Sequence, residues 1–260
     1  MRVHHVIAAV MRPAAMRPLI AHTLLVESAD GLVLVDSGFG RNDLANLERF
    51  GPFRHLLNVD RDPVHTAAAG VERLGFDPAD VKHIVLTHMD LDHVGGVADF
   101  PNAVVHTTAD EWLAATTDTR LLDRPRYFPF QWERAASVKQ YEGAGGEWQH
   151  GLSGHAIVDG ITLVPMHGHT RGHAVVAVEG SDGVIVHAGD ALFDGSSIKA
   201  SVDGEPLAPV WPLRGFERVI ARQPTKISAN HRVLRELNDD PAITVISAHD
   251  PRFFPGGAPV

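Results

Sequence analysis

The segment Leu86-Thr87-His88-Met89-Asp90-Leu91-Asp92-His93-Val94-Gly95-Gly96 offers four cation-binding groups, His88, Asp90, Asp92 and His93, within six residues. Imidazole nitrogens and carboxylate oxygens are the ligands of hydrolytic metal sites, and four of them on one loop can serve two ions. His88 and Asp90 are expected to converge on one point if the loop begins extended and then coils, while the adjacent Asp92 and His93 are expected to diverge. The two glycines that follow read as a tight turn. A single histidine in such a loop is more often a hydrogen-bonded structural residue; four ligand groups together favour metal.

Three further clusters stand at the ends of expected strands: Met166-His167-Gly168-His169-Thr170-Arg171-Gly172-His173, His187-Ala188-Gly189-Asp190 and Ser247-Ala248-His249-Asp250. Three imidazoles within seven residues cannot all bind one ion, so at least one of His167, His169 and His173 orients a neighbour instead. Each cluster is weak alone, but four strands ending in His or Asp would collect these groups along one edge of a sheet structure. The chain has 17 histidines and no cysteine. That excludes disulfide scaffolds, thiolate zinc sites, thiol nucleophiles and Cys-bound iron–sulfur clusters.

Short β-branched runs place the positioning strands near residues 3–9, 23–27, 32–35, 83–87, 103–106, 161–166, 174–178, 184–187 and 244–247. Helices are expected near 43–50, 66–74, 109–115 and 216–221, with a short one capped by Asp77 ahead of Pro78. Asp30-Gly31 through Gly38 and Asp182-Gly183 through Asp190 echo each other as turn, strand and polar ending, which suggests two related halves. Between residues 107 and 160, Trp112, Tyr127, Phe128, Phe130, Trp132, Tyr141 and Trp148 concentrate most of the large aromatics, as an insertion would. It would wall a substrate pocket, form a homodimer contact, or pack as a satellite core. With no linker, the whole chain 1–260 reads as one domain.

At 260 residues, 44% hydrophobic and 21% charged, the chain buries a sizeable core without disulfides. A formal net charge of −9 repels polyanions, so no nucleic-acid partner is expected. Residues 1–13 hold a short apolar run without a cleavage site and read as no signal peptide, and no stretch approaches the roughly 20 apolar residues that cross a bilayer. A cytoplasmic protein with no membrane partner is the expectation.

In motif order and spacing the chain resembles the metallo-β-lactamase-fold hydrolases over nearly its whole length: Val35-Asp36-Ser37-Gly38, the His88–His93 loop with Gly95-Gly96, Gly168-His169 through Gly172-His173, Gly189-Asp190, and His249. The resemblance implies an α/β fold, an αββα sandwich of two mixed β-sheets flanked by helices, with two divalent ions at one edge. It places the first ion on His88, Asp90 and His169 and the second on Asp92, His93 and His249. Asp190 would bridge them, and Asp36 and His173 would support the site without binding metal. Where the family has His-x-His-x-Asp-His, this chain has Asp90 in the second position. Zinc is the first expectation, but harder oxygen ligation makes manganese or iron competitive, and a shorter side chain allows a mononuclear site. The diiron branch of the fold has a carboxylate here too, with a flavin domain this chain lacks room for.

The resemblance is to the lactonase-like hydrolases in particular. It implies attack by a metal-bound hydroxide on a small ester or lactone, with Asp92 as the catalytic carboxylate that orients the nucleophile and carries a proton. Those lactonases commonly place a Tyr three residues after the bridging Asp; here Phe193 stands there and donates nothing. Met16, in the loop between residues 11 and 18, and His22 are further candidates for the substrate pocket, alongside Phe193. The alternatives are a phosphoester, thioester or β-lactam hydrolase of the same fold, an iron-dependent oxidoreductase, and a non-catalytic metal-binding protein.

Overall fold

Alternation along the strands sets the layers. In the computed structural model, which describes residues 1–14 and 16–258, Leu24, Val26, Val33, Val35 and Val85 face Ile161, Leu163, Ala174, Val176, Val178 and Ile246 across the middle of the molecule. Their sequence neighbours Leu25, Leu34 and Ile84 point outward into a second cluster, and Val164, Val175, Ala177 and Val245 into a third. Two sheets, each apolar on both faces, must be covered by helices, and the fold is the αββα sandwich.

The first sheet runs in the order β1 (Arg2–Met11), β2 (Leu19–Ser28), β3 (Gly31–Val35), β4 (Val81–Val85), β5 (Val104–Thr108), β6 (Ser137–Tyr141). β1 to β3 pair antiparallel, and β3 to β6 parallel. The second comprises β7 (Gly146–Glu147), β8 (Ser153–Val158), β9 (Ile161–Pro165), β10 (Ala174–Gly180), β11 (Gly183–His187) and, beyond a small ribbon of β12 (Ser201–Val202) and β13 (Glu205–Pro206), β14 (Ile243–Ile246). β14 lies parallel to β11 at the edge; the other pairs are antiparallel.

The two echoing segments occupy equivalent places. β3 and β11 are each the return strand of a hairpin and each gain a parallel neighbour. Their Asp-Gly turns need glycine: Gly183 has φ +126, and a Cβ there would meet the Ala242 carbonyl oxygen at 2.5 Å.

Of the helices α1 (Arg41–Ala45), α2 (Phe53–Leu57), α3 (Ala67–Arg73), α4 (Leu91–Val94), α5 (Ala109–Thr116), α6 (Trp211–Ile220) and α7 (Pro224–Asn238), α3 lays Ala67, Ala68 and Val71 on the first sheet. α7 lays Leu234 and Leu237 on the second. The helix expected over 43–50 is instead α1 and a separate 3-10 turn, broken at Asn46 (φ −134, ψ 44). The stretch 107–160 contributes α5, β6, β7 and β8 to the scaffold, and its turns between 117 and 136 bury Arg126, Tyr127, Gln131 and Trp132, with Arg126 against Asp90 and His169. Among the described residues no helix is long and apolar enough to cross a membrane.

Candidate metal centre

The C-terminal ends of β3, β4, β9, β11 and β14 meet at one edge of the sandwich. Asp36 follows β3 in a left-handed conformation (φ 57) rare for a non-glycine residue. Its Oδ1 accepts from Thr87 N at 2.8 Å, and its Oδ2 from Thr87 Oγ1 at 2.9 Å and His93 Nδ1 at 2.8 Å. Because the Thr87 hydroxyl donates to Asp36, it accepts from His88 Nδ1 at 3.0 Å. Likewise His249 Nδ1 donates to Ile20 O at 2.8 Å. Each bond consumes the Nδ1 proton, leaving the Nε2 lone pairs of His88, His93 and His249 free for a cation.

Those lone pairs converge. His88, Asp90, His169 and Asp190 each bring a ligand atom within 4.8 Å of the others, and Asp92, His93 and His249 form a second such group; all seven are buried. In the first group His88 Nε2 lies 3.5 Å from Asp90 Oδ2 and 3.7 Å from Asp190 Oδ2, and His169 Nε2 lies 2.9 and 3.2 Å from the same two oxygens. In the second, His249 Nε2 is 3.4 Å from His93 Nε2, 3.6 Å from Asp92 Oδ2 and 2.9 Å from Asp190 Oδ1, which is 3.2 Å from His93 Nε2. Tetrahedral ligands held at about 2.0–2.2 Å from an ion stand about 3.3–3.6 Å apart, so both groups have the dimensions of a cation site, with one Asp190 oxygen turned to each. His88 Nε2 and Asp190 Oδ1 are buried and make no hydrogen bond, as atoms reserved for an ion would be.

Asp92 and His93 do not diverge as expected. They sit on α4, about 100° apart around the helix, and both reach His249. Nor is Gly95-Gly96 a turn. Gly95 is helical (φ −59), and a Cβ there would lie 2.3 Å from Asp43 Oδ2, while one on Gly96 would lie 2.3 Å from Ser37 O. The glycines let α4 press against the end of β3.

In the third cluster His169 joins the first group, whereas His173 stands behind it. His173 Nδ1 donates to Met166 O at 3.2 Å and its Nε2 accepts from Asp190 N at 3.0 Å, so neither nitrogen is left for an ion. His167 is half-buried near Asp110. Among the pocket candidates Phe193 lies beside the site, its ring 5.8 Å from that of His169 and 5.0 Å from that of His249. His22 does not: alternation along β2 turns it between the sheets with Leu24 and Val26, where it pairs with His5 at 2.8 Å and packs on Phe254. Met16 packs partly buried against the core under the first sheet, and its neighbour Ala15 lies outside the described residues.

The electrostatics follow from burial against charge. Burial disfavours ionising Asp90, but Arg126 and His88 outweigh it and hold its carboxyl well below the usual range. Burial likewise opposes a charged His93, yet Asp190 and Asp36 hold its imidazolium well above the ordinary value. His169, buried and facing Arg126 as well as Asp190, is pushed down to about 4. A lone-pair-rich cage of this kind demands positive charge, whether proton or metal.

Two residues here have no counterpart in the sequence reading. Arg126 is buried; its Nη1 donates to Asp90 Oδ2 and lies 2.9 Å from His169 Nε2, and its Nη2 donates to Ile220 O. Glu111, fully buried on α5, accepts from Met89 N (2.9 Å) and Tyr127 OH (3.1 Å) on Oε1, and from Thr170 Oγ1 (2.6 Å) and Gly172 N (3.2 Å) on Oε2. It ties the His88 loop to the His169 loop. Its place in the first turn after Thr108 reads as an ordinary helix-capping acid, and a lone Arg in a loop carries no spacing signal.

Over these groups opens a cavity of about 240 Å³ whose floor is Asp90, Asp92, Asp190 and His249. Its walls include Met11, Leu19, Leu56, Leu57, Phe193, Phe216, Val219 and Ile220. Val219 and Leu56 stand 81% and 50% exposed, an apolar rim at the mouth. A larger groove of about 770 Å³, lined by residues such as Met1, Gly183 and Lys199, runs at the hairpin-turn end of the strands, away from the ligand groups.

The pattern of the metallo-beta-lactamase superfamily matches residues 16–249 of the chain. A probable metallo-hydrolase of Mycobacterium tuberculosis is 38% identical over 258 residues, covering 97% of this chain and 81% of that protein. An N-acyl homoserine lactonase of Bacillus thuringiensis is 24% identical over 220 residues, covering 84% and 78%. The crystal structure of a B. thuringiensis AiiA mutant with N-decanoyl-L-homoserine bound at its active site superposes with a TM-score of 0.69 at 21% identity, over 95% of this chain and 92% of that one.

Proposed function

The chain belongs to the metallo-beta-lactamase superfamily, and from that premise we propose that it is a metal-dependent hydrolase cleaving a small ester or lactone that carries an apolar chain. The observation that carries this reading is the cavity: walls and rim that are apolar apart from Arg126 and Arg222 lead down to a floor of Asp and His groups, so a substrate's tail is desolvated where its reacting end meets the metal centre. The lactonase among its relatives and the acyl-homoserine ligand in a structural neighbour support the same substrate class.

His88, Asp90 and His169 hold one locus, Asp92, His93 and His249 the other, and Asp190 serves both. Zinc is the proposed resident, with manganese or iron as alternatives because of Asp90. When bound, such ions activate water near neutral pH and polarise the scissile carbonyl. Asp36 fixes the His93 ring, and His173 fixes the backbone that presents Asp190. Asp92, on the floor of the cavity, orients the attacking water and passes its proton to the leaving oxygen. Phe193 brings ring surface and no donor, so carbonyl polarisation rests on the metal centre.

The test is metal analysis coupled to a panel of lactones, thioesters, phosphodiesters and β-lactams. Turnover is expected on esters or lactones, with kcat/KM rising roughly three- to fourfold per added methylene until the cavity is filled, the value of about 0.8 kcal/mol per buried CH2. Turnover of phosphodiesters with no response to chain length overturns the assignment. The Asp90 carboxylate favours one second reading, an iron-dependent oxidoreductase; retained iron with oxygen uptake, and no hydrolysis, would establish that instead.

A further inference from the structure

We propose that Arg126 is a built-in cation of the centre that sets the two metal loci apart, so that the Asp92–His93–His249 locus binds its ion tightly and the His88–Asp90–His169 locus weakly. This rests on the metal-centre reading above. The donor sets are otherwise equal: each locus has two imidazoles, one carboxylate of its own and one oxygen of Asp190. What differs is the fixed charge in contact with them.

At the first locus a guanidinium, which never loses its charge in proteins, holds Asp90 Oδ2 and lies 2.9 Å from His169 Nε2, the atoms the locus offers to an ion. Its other arm donates to Ile220 O on α6, so the buried guanidinium is held from two sides. At the second locus the group behind the imidazole is the Asp36 carboxylate, 2.8 Å from His93 Nδ1. His88 reaches that carboxylate only through the Thr87 hydroxyl. One locus therefore has a fixed positive charge against its ion-facing atoms and the other a fixed negative charge behind a ring, and a divalent cation prefers the second.

This also accounts for Asp90. A carboxylate and a guanidinium together bring no net charge, as the neutral imidazole of the family motif brings none. The substitution is of a pair for a ring.

The experiment strips the protein with a chelator, adds Zn2+ stepwise against a competing chromophoric chelator, and counts ions retained after gel filtration by elemental analysis. Wild type is expected to show two steps separated by about 100-fold and to retain one ion. Arg126→Gln draws the weak step toward the strong one by about 10- to 100-fold and retains two; Arg126→Lys, which keeps the charge, follows wild type. Asp90→Asn, leaving the guanidinium uncompensated, loses the weak step alone, and His249→Ala loses the tight one. The Lys and Asn variants decide the matter should Arg126→Gln not fold. Two equal steps in wild type, a weak step unmoved in Arg126→Gln, or loss of the weak step in His249→Ala overturns this inference while leaving the hydrolase standing. Failure to bind any ion overturns the metal centre itself.

Discussion

Asp36 holds the His93 ring at 2.8 Å from a backbone conformation that costs on the order of 1–3 kcal/mol for most side chains. Three donors converge on its two oxygens. Asp36→Asn keeps the shape and tolerates the left-handed backbone, but it offers one acceptor oxygen and no charge. Metal affinity at the second locus is expected to fall about 10- to 100-fold, and stability by about 1–3 kcal/mol for a stranded buried donor. Chelator competition and urea unfolding read the two effects, and an Asn variant that binds Zn2+ as tightly as wild type removes Asp36 from the centre.

Glu111 is the other anchor of the edge. Four donors from three separate segments end on its carboxylate, which is wholly buried. In Glu111→Gln the amide nitrogen must face two of those donors, so roughly 2–5 kcal/mol of unfolding free energy should disappear. Because the His88 and His169 loops are joined through this group, bound metal should also exchange faster. A denaturant midpoint within error of wild type would show that the bonds carry no weight.

Phe193 lies over both loci, its ring near those of His169 and His249. The resemblance to lactonase-like hydrolases implies a tyrosine at this position, and adding the hydroxyl would supply a donor for the substrate's carbonyl oxygen. Phe193→Tyr is expected to raise kcat on lactones about tenfold, below the 10²–10³ that a well-placed donor achieves, because Phe193 is already tightly enclosed. A fall in kcat with metal content intact would mean the cavity has no room for the oxygen.

The candidate ligand groups are legible because their clusters come just after apolar strands. Alternation ends and a His or Asp appears, beside glycine at His169 and Asp190, and parallel or hairpin pairing then brings those ends to one edge. The Asp36 and Asp190 echo is the clearest case, since β3 and β11 occupy equivalent places in their sheets. Arg126 and Glu111 were not legible, because one charged residue in a loop or first helical turn has no period to betray it, and both act through contacts with segments far away in sequence. α7 is hard to read in the sequence for another reason: Ile227, Leu234 and Leu237 have helical spacing after Pro224, but polar residues dilute the stripe. His22 lies inside β2, which begins at Leu19, and its shared parity with Leu24 and Val26 turns it between the sheets rather than toward the cavity.

Away from the metal-type residues, His106 on β5 hydrogen-bonds His83 at 3.0 Å and the Tyr141 hydroxyl at 2.9 Å. Burial, with His83 and Lys139 adding to it, pushes its pKa from the ordinary 6.5 down to about 4. Between those values the unfolded chain binds a proton that the folded one refuses, so stability rises with pH. His106 therefore contributes fully above about pH 6.5, and its contribution is lost as pH falls toward about 4. Melting curves of chelator-stripped wild type should drop between about pH 7 and about pH 4.5, and His106→Gln, with no proton to take up, should drop less. Comparing the two slopes cancels the titration of the other histidines, and equal slopes would mean that His106 is protonated as readily in the fold as in the unfolded chain.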